Sequence, residues 1–297
     1  MQAPDQAVVE ALDMSADIAT VWRAWTDPGW LAGWLVERAD GAITPGESVA
    51  WRWDSLGLEL GLIVVDVDPP RRLSLRGGAP GRPSQLQTVT LSEAAAGGTR
   101  VELTHGGFAP GPAGEAERAG SAAGWRVMLR VLAHYLAGRA GRPREVVSAI
   151  APVAAPLAAI GPLLHDPVRR ADWLTGGGAA TALAREGEPF ALALRGAAPC
   201  AAGGTAYAPS AADLAVSGRV IALAPPFELA LGWDEVDGVL ILRAIQVAAG
   251  PGAPVLACAQ AWSWAPERAA WASARAALEA ALARLLRAAG GGAAGSA

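Results

Sequence analysis

The feature that most constrains this chain is that it repeats itself. Shifted by 139 residues, the sequence aligns on itself without a gap over about thirty positions. Val8 falls on Val147, Ile18 on Leu157, Val21 on Ile160 and Trp25 on Leu164. Asp27-Pro28 falls on Asp166-Pro167, and Trp34-Leu35 on Trp173-Leu174. Further on, Val67-Asp68-Pro69-Pro70-Arg71-Arg72-Leu73 parallels Leu223-Ala224-Pro225-Pro226-Phe227-Glu228-Leu229. Each half then ends on a tryptophan with leucines seven and eleven residues later: Trp125, Leu132 and Leu136, then Trp271, Leu278 and Leu282. The same landmarks in the same order twice mean one duplicated domain of about 140 residues, not a solenoid of short period.

The order of elements follows from where the hydrophobic period changes. In the first copy a short apolar run from Val8 to Leu12 suits a strand. Asp17 then caps a helical stretch in which Ile18, Val21, Trp22 and Trp25 share a face. Asp27-Pro28 starts a second short helix reaching Trp34. From there to His105 the chain alternates (Val49, Trp51, Trp53; Leu73, Leu75; Val101, Leu103, His105), broken by turn signals at Pro69-Pro70 and Gly97-Gly98. An amphipathic helix from about Ala113 to Ala137 closes the copy, and its counterpart spans about Glu267 to Ala288. The terminal helix is the only element long enough to cover the apolar face of six or seven antiparallel strands. The expected fold is α+β: two tandem domains, each a curved antiparallel sheet of about seven strands wrapped on a long C-terminal helix, with two short helices after the first strand. The expected boundaries are 1–140 and 144–289, with a linker at 141–143 and a disordered tail at 290–297.

Composition removes several function classes. All 24 basic residues are arginine, which excludes Schiff-base and P-loop lysine chemistry. A net charge of −4 supplies no basic face for nucleic acid. The two cysteines, Cys200 and Cys258, cannot build a disulfide framework, and three histidines without ligand spacing give no metal site. No Gly-x-Ser-x-Gly elbow occurs, and Gly176-Gly177-Gly178 lacks a following Lys-Ser/Thr, so neither a serine nucleophile nor a phosphate cradle is indicated. No cofactor is expected. The uncharged run Val146–Leu164 is long enough to span a bilayer, but Pro152, Pro156 and Pro162 argue against one unsupported helix. With no basic n-region before an apolar stretch at Met1-Gln2-Ala3-Pro4-Asp5, a cytoplasmic location is expected. The alanine- and arginine-rich, lysine-free composition suits a GC-rich bacterial genome.

Val21-Trp22-Arg23-Ala24-Trp25-Thr26-Asp27-Pro28 with Trp34 resembles the opening segment of the family related to the C-terminal domain of the activator of heat-shock protein 90 ATPase. Val67–Leu73 resembles that family's hairpin after the fourth strand. Gly97-Gly98-Thr99-Arg100-Val101-Glu102-Leu103-Thr104-His105 resembles its last strand, and Gly124-Trp125 with Leu129 and Leu132 its terminal helix. The second half matches more loosely: Gly161 stands where the first copy has Trp22, and Phe227-Glu228 where it has Arg71-Arg72. The family belongs to the START/Bet v 1-like (SRPBCC) superfamily with the helix-grip fold. The resemblance implies a cavity between sheet and helix that takes apolar small molecules. Some members have become cyclases, dehydratases or hydrolases.

Twelve tryptophans against three phenylalanines and two tyrosines are the chain's most unusual feature, and they serve either as core or as cavity lining. Phase along strand and helix singles out Trp51, Trp53, Trp125, Met128 and Leu129 in the first copy, and Trp262, Trp264 and Trp271 in the second. His105 is the one titratable group in phase with an apolar face, either a bonded core histidine or a polar group at a cavity mouth. His134 lies near the end of the long helix, and His165 is expected in a loop. The first reading is non-catalytic binding of a small apolar ligand. The alternatives are a cyclase- or hydratase-like enzyme using His105 as acid/base, and a protein-interaction or chaperone-associated module. The discriminating feature between the first two is a second titratable group within hydrogen-bond reach of His105.

Overall fold

Two aspartates at matching positions turn the chain into its second helix in each copy. Asp27 Oδ1 accepts from the backbone N–H groups of Gly29 and Trp30 at 2.9 and 3.2 Å. Asp166 Oδ1 accepts from those of Val168 and Arg169 at 3.0 and 2.9 Å. Each carboxylate thereby satisfies donors that a helix start leaves open, just ahead of a proline that needs none. Our computed structural model describes residues 7–78, 84–153, 155–178, 181–195, 213–246 and 255–291. The chain divides into two units at Arg144/Glu145.

The first unit runs β1 (Val8–Met14), α1 (Ile18–Thr26), α2 (Pro28–Ala32), β2 (Arg38–Asp40), β3 (Ser48–Trp53), β4 (Leu58–Asp68), β5 (Arg72–Gly78), β6 (Gln85–Glu93), β7 (Thr99–Gly106) and α3 (Pro112–Leu136). Its seven strands form one antiparallel sheet in the order β1-β7-β6-β5-β4-β3-β2. The second unit runs β8 (Glu145–Val153), α4 (Leu157–His165), α5 (Pro167–Leu174), β9 (Pro189–Leu194), β10 (Leu214–Ala224), β11 (Glu228–Trp233), β12 (Gly238–Gln246), β13 (Val255–Ser263) and α6 (Ala274–Gly291). Its six described strands follow the order β8-β13-β12-β11-β10-β9, which is the first sheet without β2. Both units are thus helix grips: an antiparallel sheet, two short helices after its first strand, and a C-terminal helix against one face.

The repeat extends to fine detail. A bulge inserts Val65 between the pairs Val64–Leu75 and Asp66–Ser74. The second unit inserts Ile221 at the same register, between Val220–Leu231 and Ala222–Ala230. The indole of Trp34 donates to the Ala24 carbonyl at 2.9 Å, and that of Trp173 to the Leu163 carbonyl at 2.7 Å.

As the prolines imply, the uncharged run Val146–Leu164 is no single segment: β8 and α4 divide it. Among the described residues no helix is long and apolar enough to cross a membrane. His165 is not in a loop but is the last residue of α4. The second terminal helix starts at Ala274, not near Glu267, because Trp271 lies in a preceding turn of 3-10 helix, Ala269–Ser273. That helix continues to Gly291, and positions 292–297 of the expected tail, like Cys200, lie outside the described residues.

Candidate functional site

Alternation along β6 and β7 builds the polar part of the first unit's interior. In β7, Val101, Leu103 and His105 are buried while Arg100 and Glu102 are exposed. In β6, Gln85, Gln87, Val89 and Leu91 are buried, with Leu86 and Thr90 outside. Register places Gln87 directly opposite His105 and Val89 opposite Leu103. Three polar side chains therefore share a face that is otherwise apolar, at the end of the sheet crossed by the first half of α3.

They form a continuous chain. The Trp125 indole N–H donates to His105 Nδ1 at 3.1 Å. An indole can only donate, so Nδ1 carries no proton and the ring's hydrogen sits on Nε2. Nε2 lies 2.9 Å from Gln85 Oε1 and donates to it. The Gln85 amide then donates to the Glu117 carboxylate on α3 at 3.1 Å. His105 is 5% exposed, and burial lowers its pKa from 6.5 to about 4, so the ring is neutral near pH 7. Both of its nitrogens are engaged within the protein, and neither partner titrates near neutrality.

Around this chain lies an aromatic cluster. His105 is 4.8 Å from Phe108 and 6.3 Å, edge to face, from Trp125. Trp125 meets Trp25 at 6.0 Å, and Trp25 meets Trp34 at 4.8 Å. A cleft of about 90 Å³ lined by Phe108, Pro110, Gly114, Glu115 and Arg118 opens beside it at the start of α3.

The two halves of α3 cover the sheet differently. From Trp125 onward, Val127, Met128, Leu129, Val131, Leu132 and Tyr135 are buried. From Pro112 to Gly124 the helix has no large apolar side chain, only Ala, Gly and Ser with Glu115, Glu117 and Arg118. Nine of those thirteen residues are half-buried, with Gly114 and Ala123 buried and Pro112 and Glu115 exposed.

Several expected site residues converge here. Trp125, Met128 and Leu129 share one face of α3, and Trp125 touches His105. Trp51 is also buried on an inward position, but β3 lies four strand spacings from β7, about 19 Å along a sheet. Trp53 is half-buried and its indole is bonded to the Leu35 carbonyl at 2.9 Å. In the second unit Trp262 is on the wrong face: Ala257, Ala259 and Ala261 of β13 join the core against α6, and alternation turns Trp262 away from it. Trp264 lies just past the end of that strand. Trp271 does join the core, with its indole bonded to Glu145 at 2.9 Å.

Sequence reasoning missed Trp25, Gln85, Gln87, Phe108 and Glu117. Gln85 and Gln87 were visible as polar residues in phase with Val89 and Leu91. Among its described residues the second unit has no such polar interior. Matching registers put Leu164 at the place of Trp25, Leu240 at that of Gln87 and Ala261 at that of His105. Among the described residues no group of three or more His, Cys, Asp or Glu is placed to hold a metal.

Residues 15–137 match the family described as Activator of Hsp90 ATPase homolog 1-like protein. A protein from Mesorhizobium loti is similar at 24% identity and a TM-score of 0.40, over 44% of this chain and 96% of its own. The solution structure of CalU16 from Micromonospora echinospora is similar at 25% identity and a TM-score of 0.39, over 45% and 67%. DynU16, from the dynemicin biosynthetic locus, is similar at 22% identity and a TM-score of 0.41, over 96% of this chain and 100% of its own. Among curated proteins none matches. Over residues 15–137, less than half of the chain, the first unit is similar to the activator of Hsp90 ATPase homolog 1-like family.

Proposed function

We propose that the first unit binds a small apolar molecule, without transforming it, between the sheet and the first half of α3. The observation that carries this reading is the contrast within α3. Thirteen residues without a large apolar side chain face a sheet whose positions there are Gln85, Gln87 and His105. A helix that only sealed a core would carry leucines throughout, as α3 does after Gly124. The indole and phenyl rings of Trp25, Trp125 and Phe108 supply the large contact area that apolar ligands need.

Catalysis by His105 is the weaker reading. A general base needs a nitrogen aimed at substrate, whereas both of its nitrogens face protein groups and its pKa of about 4 makes it a poor proton acceptor at pH 7. A protein-docking role has one observation in its favour. Ile63 and Leu86, 51% and 37% exposed, flank Arg76 in a row on the first sheet's outer face.

Native mass spectrometry of the purified chain, followed by solvent extraction, tests the proposal. A stoichiometric apolar adduct supports binding. A bare mass together with unchanged tryptophan fluorescence across a lipophilic panel overturns it and turns attention to the Ile63–Leu86 face.

A further inference from the structure

Among the described residues, two buried polar atoms near His105 have no hydrogen-bond partner. Trp25 is 1% exposed and its indole Nε1–H meets no acceptor. Gln87 is 8% exposed and its side-chain oxygen meets no donor. Both border the same cluster: Trp25 touches Trp125, Trp125 is bonded to His105, and Gln87 is opposite His105 in the sheet. Six other indoles are satisfied: those of Trp34, Trp53, Trp125, Trp173, Trp233 and Trp271 all donate to oxygen or nitrogen. A buried donor or acceptor left open destabilises a fold by about 1–3 kcal/mol, so its presence calls for a partner from outside the chain.

The second unit sharpens the point. There the equivalents of Trp25 and Gln87 are Leu164 and Leu240, both buried in an apolar core. The same fold is therefore completed without either polar group, and their presence in the first unit is not a requirement of folding.

Resting on the binding reading above, we infer that the ligand is a neutral, largely aromatic molecule bearing a hydroxyl group that bonds to Trp25 and Gln87. Trp25 can only donate, so the ligand presents an oxygen lone pair there. The Gln87 amide can turn over to present either its oxygen or its NH2 group, and a hydroxyl satisfies both. The strand side of the lining carries no charge. The inward positions of β5, β6 and β7 hold Leu73, Leu75, Gln85, Gln87, Val89, Leu91, Val101, Leu103 and a neutral His105, with Arg72, Arg76 and Arg100 on the outside. A carboxylate or phosphate against these strands would be desolvated without a cation from the sheet.

The test uses the full chain and three probes of one shape: naphthalene, 2-naphthol and 2-naphthoate, with affinities measured by equilibrium dialysis. The expected result is 2-naphthol bound about tenfold more tightly than naphthalene, the value of one well-formed hydrogen bond, with 2-naphthoate the weakest. Gln87→Leu and Trp25→Phe each lower the naphthol-to-naphthalene ratio several-fold. Gln87→Leu installs the side chain that the second unit already accommodates, so a failure of Trp25→Phe to fold leaves the test intact. Equal binding of naphthol and naphthalene, or a ratio unmoved by Gln87→Leu, overturns the inference while the binding reading survives. Binding of none of the three overturns both.

Discussion

Trp125 holds His105 in a single tautomer: the indole N–H points at Nδ1 from 3.1 Å, leaving Nε2–H to face Gln85. This one contact joins the terminal helix to the last strand and decides what the imidazole can do. A protonated His105 would turn Nδ1 into a donor facing another donor, so protonation has to break the bond.

Acid should therefore weaken the fold through His105. Its pKa is about 4 when folded against an ordinary 6.5, so on acidification the unfolded chain takes up its proton first. The full contribution is present above about pH 6.5 and drains away as pH falls toward 4, amounting to about 3 kcal/mol. His165 is shifted in the same direction, by burial and then by Arg170, and adds to the same window. Urea midpoints between pH 7 and pH 4 should fall steeply in the wild type and less in His105→Gln. A carbon-13 ring titration of His105 with a midpoint near 6.5 would contradict this.

The matched indole bonds of Trp34 and Trp173 should be energetically matched as well. Trp34→Phe and Trp173→Phe each strand a buried carbonyl, Ala24 or Leu163, and each should cost about 1–3 kcal/mol in chemical denaturation. A large cost at one position and none at the other would show that the two indole bonds differ in strength despite their shared geometry.

Gly161 occupies the place of Trp22 because the β10–β11 hairpin comes close. A Cβ added there would lie 2.5 Å from Pro226 Cβ, inside van der Waals contact. Gly161→Ala should destabilise the chain by about 1–3 kcal/mol although alanine is the better helix former. An unchanged or raised melting temperature would refute the close approach.

Glu228 and Arg243 form a pair 3.7 Å apart, each side chain about one-tenth exposed, with Glu228 Oε2 lacking a hydrogen bond. Burial pushes the Glu228 carboxyl up and Arg243 partly offsets it. Glu228→Leu or Arg243→Met alone should each cost about 3 kcal/mol by leaving a buried charge uncompensated. The double variant Glu228→Leu/Arg243→Met should cost less than either, which a double-mutant cycle on urea unfolding reads directly.

Sequence patterns reached the fold because the duplicated landmarks are themselves structural: Asp27 and Asp166 cap helices, and Trp34 and Trp173 tie them down. Period-2 alternation likewise put His105 on the inner face. It could not say how far along the sheet two inner residues lie, so Trp51 and His105 looked like neighbours although β6, β5 and β4 separate their strands. Alternation also failed in β13, where Ala259, Ala261 and Ser263 are so small that the large Trp262 looked like the core residue. The chain from Trp125 to Glu117 was out of reach because it needs two strands and a helix in register at once.

The paired indoles of Trp34 and Trp173 also give the chain an internal reference. Both protons sit in chemically alike bonds to a carbonyl ten residues back, one beneath a polar interior and one beneath a dry one. General tightening of the polypeptide, by an osmolyte or by cooling, would slow hydrogen exchange at both. A molecule lodged beside Trp25 would slow exchange at Trp34 alone, so one spectrum separates occupancy from nonspecific stabilisation without a second sample.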